Sequence, residues 1–165
     1  MIAEEILLIE HVREDALVQT KLTKTEQTHF KGIFRSKYKF SVQMRLSHVE
    51  DAESTSAFGI LVRDYNEQEH LRIRFSKQEQ KWALIVESEG ITPVVNRVLA
   101  LPENFDPAIW HTLHLIQHNP HIHIYLDGSL ILSINGIEQP TQPGLTTHNA
   151  AVEFNNVWQT ASYAR

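Results

Sequence analysis

The stretch Trp110-His-Thr-Leu-His-Leu-Ile-Gln-His-Asn-Pro-His-Ile-His-Ile-Tyr-Leu-Asp-Gly128 reads as one β-hairpin. Leu113 and Leu115 alternate with polar residues before Asn119-Pro120, and Ile122, Ile124 and Leu126 do so after it. That is the period of two half-buried strands joined by a short turn. Successive side chains of a strand point to opposite faces, so pairing Leu113 with Leu126 and Leu115 with Ile124 collects the apolar groups on one side. His114, His123 and Tyr125 then share the other side. Asp127-Gly128 supplies the next turn, because glycine accepts positive φ and Asp-Gly favours tight hairpin loops.

The same alternation extends outward. Residues 34–46 alternate over more than one strand length, and 50–56 are polar and turn-like. Strands at 57–64, 69–76 and 81–87 form a meander with turns at 65–68 and 77–80. In this register Phe58, Ile60 and Val62 face Phe75, Ile73 and Leu71, which in turn face Trp82, Leu84 and Val86. Residues 91–101 read as a strand with Pro93 near its start, where a missing backbone donor is best tolerated. A loop at 101–107 leads into the hairpin, and 129–134 and 151–157 supply the last strands, separated by Gly136 and a turn region at 140–144. Only 6–18 offers an amphipathic segment of helical period. About ten short strands with turn signals between them predict an all-β, two-layer antiparallel sandwich.

The chain has 165 residues, 42% hydrophobic and 21% charged. That suits a single domain over 1–165, with its core at about 30–160, burying on the order of 70% of its unfolded surface. A net charge of −5 gives no basic face for nucleic acid. With no cysteine, disulfides and thiolate catalysis are excluded. The first residues lack a basic region and are interrupted by Glu4 and Glu5, unlike a secretory signal. No run approaches the roughly 20 apolar residues of a membrane-spanning helix. The expectation is a soluble, cytoplasmic protein without a membrane partner, unless the chain was excised from a longer secreted one.

Gly59-Ile-Leu-Val-Arg63 with an acidic turn and strand after it, Trp110-His-Thr-Leu, Ile122-His-Ile-Tyr-Leu-Asp-Gly128, Pro143-Gly-Leu-Thr-Thr147 and Ala151-Val-Glu-Phe-Asn-Asn-Val157 occur in that order. Together they resemble the concanavalin A-like (laminin-G-like) jelly-roll domains, most closely those appended to glycoside hydrolases. The resemblance spans roughly residues 30 to 160. It implies two curved antiparallel sheets, a concave face that often holds carbohydrate, and in some members a structural calcium. The fold also hosts lectins, glucanases, polysaccharide lyases and structural modules, so the residues must decide the function.

A glucanase needs two carboxylates flanking the glycosidic bond. The E-x-D-x-x-E pattern of laminarinase-like enzymes is absent. Glu87 and Glu89 have suitable parity but run into a turn at Gly90, and Glu50, Asp51 and Glu53 lie in a polar loop. A jelly-roll lyase would need a Tyr/His/Arg set, for which Tyr125 and His114 form one pair, although the lyase motifs are missing. The meander's second face projects Arg63, His70, Arg72 and Arg74 together around Gly59 and Leu61, with Ala83 adding to a small floor. Guanidiniums make forked hydrogen bonds to vicinal hydroxyls or a carboxylate. The alternative is that these arginines pair with Glu87 and nearby acids on a solvated face.

His121 and His123 point the same way with His118 across the turn, a spacing that offers imidazoles to zinc, yet no carboxylate in the hairpin completes a site. By resemblance, Glu153 and Asn155 are the candidates for calcium, although the family's frequent aspartate is here Asn155 or Asn156. Trp82 belongs to the core. Trp110, of the same parity as His114, either seals the sandwich edge or offers an aromatic platform to a sugar, the resemblance favouring the seal. Trp158 has the same two options.

The sequence thus points to a non-catalytic carbohydrate-binding or accessory module without a cofactor. Its ligand would be held by Arg63, His70, Arg72, Arg74, Trp110, His114 and Tyr125. The alternatives are a glycosidase or lyase on the same fold, or a structural domain that associates with itself as a homo-oligomer.

Overall fold

The computed structural model describes residues 34–48, 56–64, 70–78, 81–91 and 93–161, together with the backbone of 3–4, 12–13, 16–19 and 27–30. The strands are β1 (Ala3–Glu4), β2 (Val12–Arg13), β3 (Ala16–Gln19), β4 (Gln27–Phe30), β5 (Lys37–His48), β6 (Ser56–Arg63) and β7 (His70–Gln78). They continue with β8 (Lys81–Glu89), β9 (Asn96–Ala100), β10 (His111–His118), β11 (His121–Leu126), β12 (Ser129–Asn135), β13 (Gln142–His148) and β14 (Ala151–Ala161). They form two antiparallel sheets. An eight-stranded sheet has the order β12-β11-β10-β5-β14-β3-β2, with β1 also on β14, and a six-stranded sheet has the order β4-β13-β6-β7-β8-β9. The chain is a two-sheet antiparallel β-sandwich, as its alternation predicts, of the jelly-roll type that the resemblance implies, and no helix occurs among the described residues.

The core lies between the two sheets. Tyr38, Phe40, Val42 and Met44 of β5 and Leu113, Leu115, Ile122 and Ile124 of the hairpin meet Phe58, Ile60, Val62, Leu71, Ile73, Phe75, Leu84 and Val86 of the meander, all fully buried. Burying side chains of this size contributes roughly 1.5–3 kcal/mol each before the entropy of ordering the chain is subtracted.

The hairpin has the expected register, with Leu113 opposite Leu126 and Leu115 opposite Ile124. Its following turn has φ of 49° at Asp127 and 87° at Gly128, the two positive angles of a type I′ turn, whose twist matches the strands it joins. In the meander, Phe58, Ile60 and Val62 face Phe75, Ile73 and Leu71 as expected. The β7–β8 register differs: Phe75 faces Leu84, Ile73 faces Val86, and Trp82 faces Lys77, because the hairpin closes at Gln78 and Lys81. A slip of two residues preserves the face, so the apolar set still points inward. Trp82 is half-buried against the core, its ring edge-on to Phe58 at 5.7 Å.

Other boundaries need correction. The strand expected over 91–101 is confined to Asn96–Ala100, because Ile91 turns into the core and Ser88 receives the chain through hydrogen bonds with Val95. The turn region at 140–144 runs instead into β13, where residues 142–147 are buried on both faces and so show no alternation. β14 continues to Ala161 through irregularities after Ala151 and Asn155. Within the segment 6–18, residues 12–13 and 16–18 are strand, not helix, and its remainder lies outside the described residues.

Gln159 places a polar side chain on the inward face of β14. Gln159 stands opposite Phe40, is 1% exposed, and neither atom of its amide has a hydrogen-bond partner among the described residues. A buried polar group left unsatisfied costs about 1–3 kcal/mol. Gln159→Met, of similar length and no hydrogen-bonding demand, is therefore expected to stabilise the fold by that order. Urea unfolding checks this, and an unchanged or lower midpoint would mean that the amide is satisfied in solution.

Candidate functional site

The outward face of the six-stranded sheet follows from strand parity. Phe58, Ile60, Val62, Leu71, Ile73, Phe75, Leu84 and Val86 take the inward positions along the middle of β6, β7 and β8, so the intervening positions bring Gly59, Leu61 and Arg63 beside His70, Arg72 and Arg74, and these beside Ile85 and Glu87. On the other flank β13 places Gln142 opposite Arg63, Gly144 opposite Leu61, and Thr146 opposite Gly59. The four basic candidates of the meander are thus gathered on one face.

Their orientation is fixed by neighbouring acceptors. Arg72 Nη1 donates to Glu89 Oε2 at 3.0 Å, and Arg74 Nη2 to Glu87 Oε1 at 3.0 Å. Both bonds run diagonally across the β7–β8 pair. Arg63 Nε donates to Gln142 Oε1 at 2.9 Å, and its guanidinium lies 5.9 Å from the Phe34 ring centre. The arginine side chains of the two ion pairs are only 17% and 19% exposed, whereas Glu89 is 69% exposed. The ion pairs that the sequence set against a binding role are therefore present, and they splint the guanidiniums rather than leaving them as waving surface charges. Gln142 is not legible as part of this face in the sequence, because Pro140-Thr-Gln-Pro-Gly144 carries turn signals.

The floor of the face is low. Gly59 is required there by contact: a Cβ would sit 2.2 Å from the Ile73 carbonyl oxygen and 2.9 Å from Arg74 Cα.

Trp110, His114 and Tyr125 are elsewhere. His114 and Tyr125 pair on β10 and β11, in the eight-stranded sheet, so they face outward on the opposite side of the sandwich from the arginines. Their rings meet edge-on at 5.8 Å. Burial, and secondarily the nearby Lys39 charge, hold the His114 pKa below the usual histidine value. Trp110 is half-buried, with the Arg45 guanidinium 4.6 Å over its ring. That cation–π contact covers one ring face, in keeping with a sealing role. The side chain of Trp158 lies outside the described residues.

The metal candidates Glu153 and Asn155 lie two residues apart on β14. Glu153 accepts from Arg45 at 3.1 Å and from Ser47 at 3.5 Å. Asn155 contributes one buried amide oxygen without a hydrogen-bond partner among the described residues. Toward the six to eight oxygens that calcium takes, these two side chains offer one arginine-held carboxylate and one amide oxygen. The His121 and His123 rings stack at 5.9 Å, and His123 Nδ1 is 2.8 Å from the Ser133 hydroxyl. Among the described residues, no group of three or more histidine, aspartate or glutamate side chains is set to hold an ion.

Fold and site together define a jelly-roll sandwich with a splinted arginine face on its six-stranded sheet. The chain matches no protein-family model and no curated protein sequence. Among solved structures it is similar to a protein of unknown function from Saccharomyces cerevisiae, with a TM-score of 0.67, 14% identity, and coverage of 98% of this chain and 94% of that one. It is also similar to the carbohydrate-binding module CBM66 from Bacillus subtilis, with a TM-score of 0.59, 12% identity, and coverage of 93% and 99%. The endo-β-1,3-glucanase from Pyrococcus furiosus matches with a TM-score of 0.67, 10% identity, and coverage of 93% and 77%. At such identities the likeness establishes the fold alone.

Proposed function

We propose that this chain is a concanavalin A-like, non-catalytic carbohydrate-binding or accessory module that takes sugar on the outward face of its six-stranded sheet. The observation that carries this reading is the grouping of Arg63, His70, Arg72 and Arg74 over a floor containing Gly59, with Glu87, Glu89 and Gln142 as fixed acceptors. Sugar recognition uses alternating donors and acceptors at hydroxyl spacing, and forked guanidiniums splinted by carboxylates supply both. The likeness to CBM66, which covers nearly the whole of each chain, supports a binding module. A glycosidase would need a pair of carboxylates free to act on the glycosidic bond, whereas Glu87 and Glu89 are each held by an arginine.

Affinity of this kind is weak, since hydroxyls are already well solvated, and about 1 mM to 1 μM is the range such contacts reach. Arg72→Ala is expected to weaken sugar binding by about 1–3 kcal/mol. The melting temperature should fall only by a few degrees, because the Glu89 partner is largely exposed and a pair with one solvated member contributes about 1 kcal/mol. Ligand-observed NMR against a panel of mono- and oligosaccharides, held for a day in one tube, tests the reading. Saturation transfer to one sugar class, lost in Arg72→Ala, supports it. New anomeric or unsaturated-sugar signals would make the chain an enzyme, and silence across the panel would leave the structural role.

A further inference from the structure

The open flank of the sandwich carries a second feature, independent of the arginine face. A cavity of about 430 Å³ lies between the β8–β9 side of one sheet and the β10–β12 side of the other, with residues from the 101–110 loop in its wall. Leu84, Leu99, Leu101, Leu126 and Ile131 supply apolar walls from both sheets. Its size and lining match those of small-molecule sites, which are mostly apolar with a few well-placed polar groups.

The polar groups here are clamped. Asp127 sits in the type I′ turn with φ 49°, and its backbone N–H donates to the Thr112 carbonyl at 2.9 Å. Its Oδ1 accepts the Thr112 N–H at 2.8 Å, and its Oδ2 accepts from His111 Nδ1 at 2.8 Å. The opposite nitrogen of His111 donates to the Asp106 carbonyl at 2.7 Å, and the ring stacks on Phe105 at 4.5 Å. Turn, strand and imidazole thus hold one carboxylate rigidly. Each of its oxygens has a second lone-pair site, and the side chain remains 49% exposed at the cavity.

Charge selects the occupant. Asp106 and Asp127 both line the cavity, and no lysine or arginine among the described residues does. Even counting His111 as a cation, the lining among the described residues holds two carboxylates to one positive charge. A carboxylate ligand would be repelled, and a purely apolar one would leave the exposed lone pairs of Asp127 without a donor.

We propose that this cavity binds small organic amines with an apolar or aromatic body, the body resting against Leu99, Leu101, Leu126 and Ile131 and the ammonium donating to Asp127. The test uses the full chain, labelled for methyl and amide NMR, titrated separately with tryptamine, tryptophol and indole-3-acetate, which share a body and differ in the head group. Tryptamine is expected to shift the resonances of Leu99, Leu101, Leu126, Ile131 and His111, and to bind about tenfold more tightly than tryptophol. Asp127→Asn keeps an acceptor for Thr112 and suits the turn, and it should reduce tryptamine affinity about tenfold, to the tryptophol level. Ile109→Lys provides a second check, because Ile109 lines the cavity yet is 55% exposed, so the change adds a competing ammonium without disturbing the core. It should abolish tryptamine binding while leaving the fold intact. Equal affinity for all three probes, preference for indole-3-acetate, shifts confined to residues outside the cavity, or undiminished tryptamine binding in Ile109→Lys would each overturn the proposal.

Discussion

Gly59→Ala is expected to destabilise the protein by about 3 kcal/mol, lowering the melting temperature by roughly 10 °C. The added methyl would lie 2.2 Å from the Ile73 carbonyl oxygen and 2.9 Å from Arg74 Cα, distances that real Cβ atoms do not adopt. Both obstacles are backbone, so no side-chain rotation relieves them. The backbone in question is β7, which is paired with β6 on one side and β8 on the other, so it cannot retreat without opening a ladder. Gly59 also stands directly opposite Arg74, whose guanidinium bridges to Glu87. Any displacement that accommodates the methyl moves that bridge, so the proposed sugar affinity should fall together with stability. Thermal unfolding and sugar titration of one variant measure both effects. A melting temperature within about 2 °C of the parent would show that the sheet yields more readily than its pairing implies.

The hairpin over 110–128 was legible because each half shows strict alternation and Asp127-Gly128 marks the turn, and the meander was legible for the same reason. What alternation encodes is parity, and parity has two blind spots here. A slip of two residues leaves parity unchanged, so the β7–β8 register could be misplaced while every inward residue was still assigned inward. A sandwich also has two outward faces. Parity identified Arg72, His114 and Tyr125 alike as outward, but it does not say which strand joins which sheet, and β10–β11 and β6–β7 belong to different ones. The candidate ligand set therefore divided into two groups on opposite sides of the molecule.

β13 shows a third limit. A strand buried on both faces has no polar alternate, and Pro143-Gly144 reads locally as a turn, so the strand carrying Gln142 emerges only from its pairing with β6. The ion pairs of the arginine face were legible as an alternative, since Glu87 lies on the neighbouring strand. The clamp between His111 and Asp127 was not, because it joins the start of β10 to the turn after β11 through a contact that depends on hairpin geometry, not on spacing along the chain.

The second large effect should come from the buried polar network at Tyr38. This side chain is fully buried, and its hydroxyl is 2.7 Å from Thr141 Oγ1. Thr141 donates its single proton to Gln117 Oε1, so Tyr38 must be the donor to Thr141. Gln117 Nε2 in turn donates to Asn119 Oδ1 at 2.7 Å and to the Gln139 carbonyl at 3.2 Å, tying β5 and β10 to the chain entering β13. Thr141→Val keeps the volume but strands two buried groups, the Tyr38 hydroxyl and the Gln117 oxygen. With each unsatisfied group costing about 1–3 kcal/mol, the expected loss is roughly 3 kcal/mol. Adding Tyr38→Phe removes one stranded group, so the double variant should be more stable than Thr141→Val alone by about 1 kcal/mol. The network also sets an alkaline limit. Burial raises the Tyr38 pKa well above the usual value of 10.0, and the bond to Thr141 offsets this only in part. Because the folded value is the higher one, the neutral phenol's contribution is complete below about pH 10, where the unfolded tyrosine is also protonated. It is lost as pH rises beyond that, since the unfolded chain ionises first. Urea unfolding of the parent and of Tyr38→Phe between pH 8 and 11, on the order of the tyrosine range, should show the parent losing stability more steeply above pH 10. Parallel curves would mean that the phenol ionises as readily folded as unfolded, and that the 38–141–117 network does not exclude water.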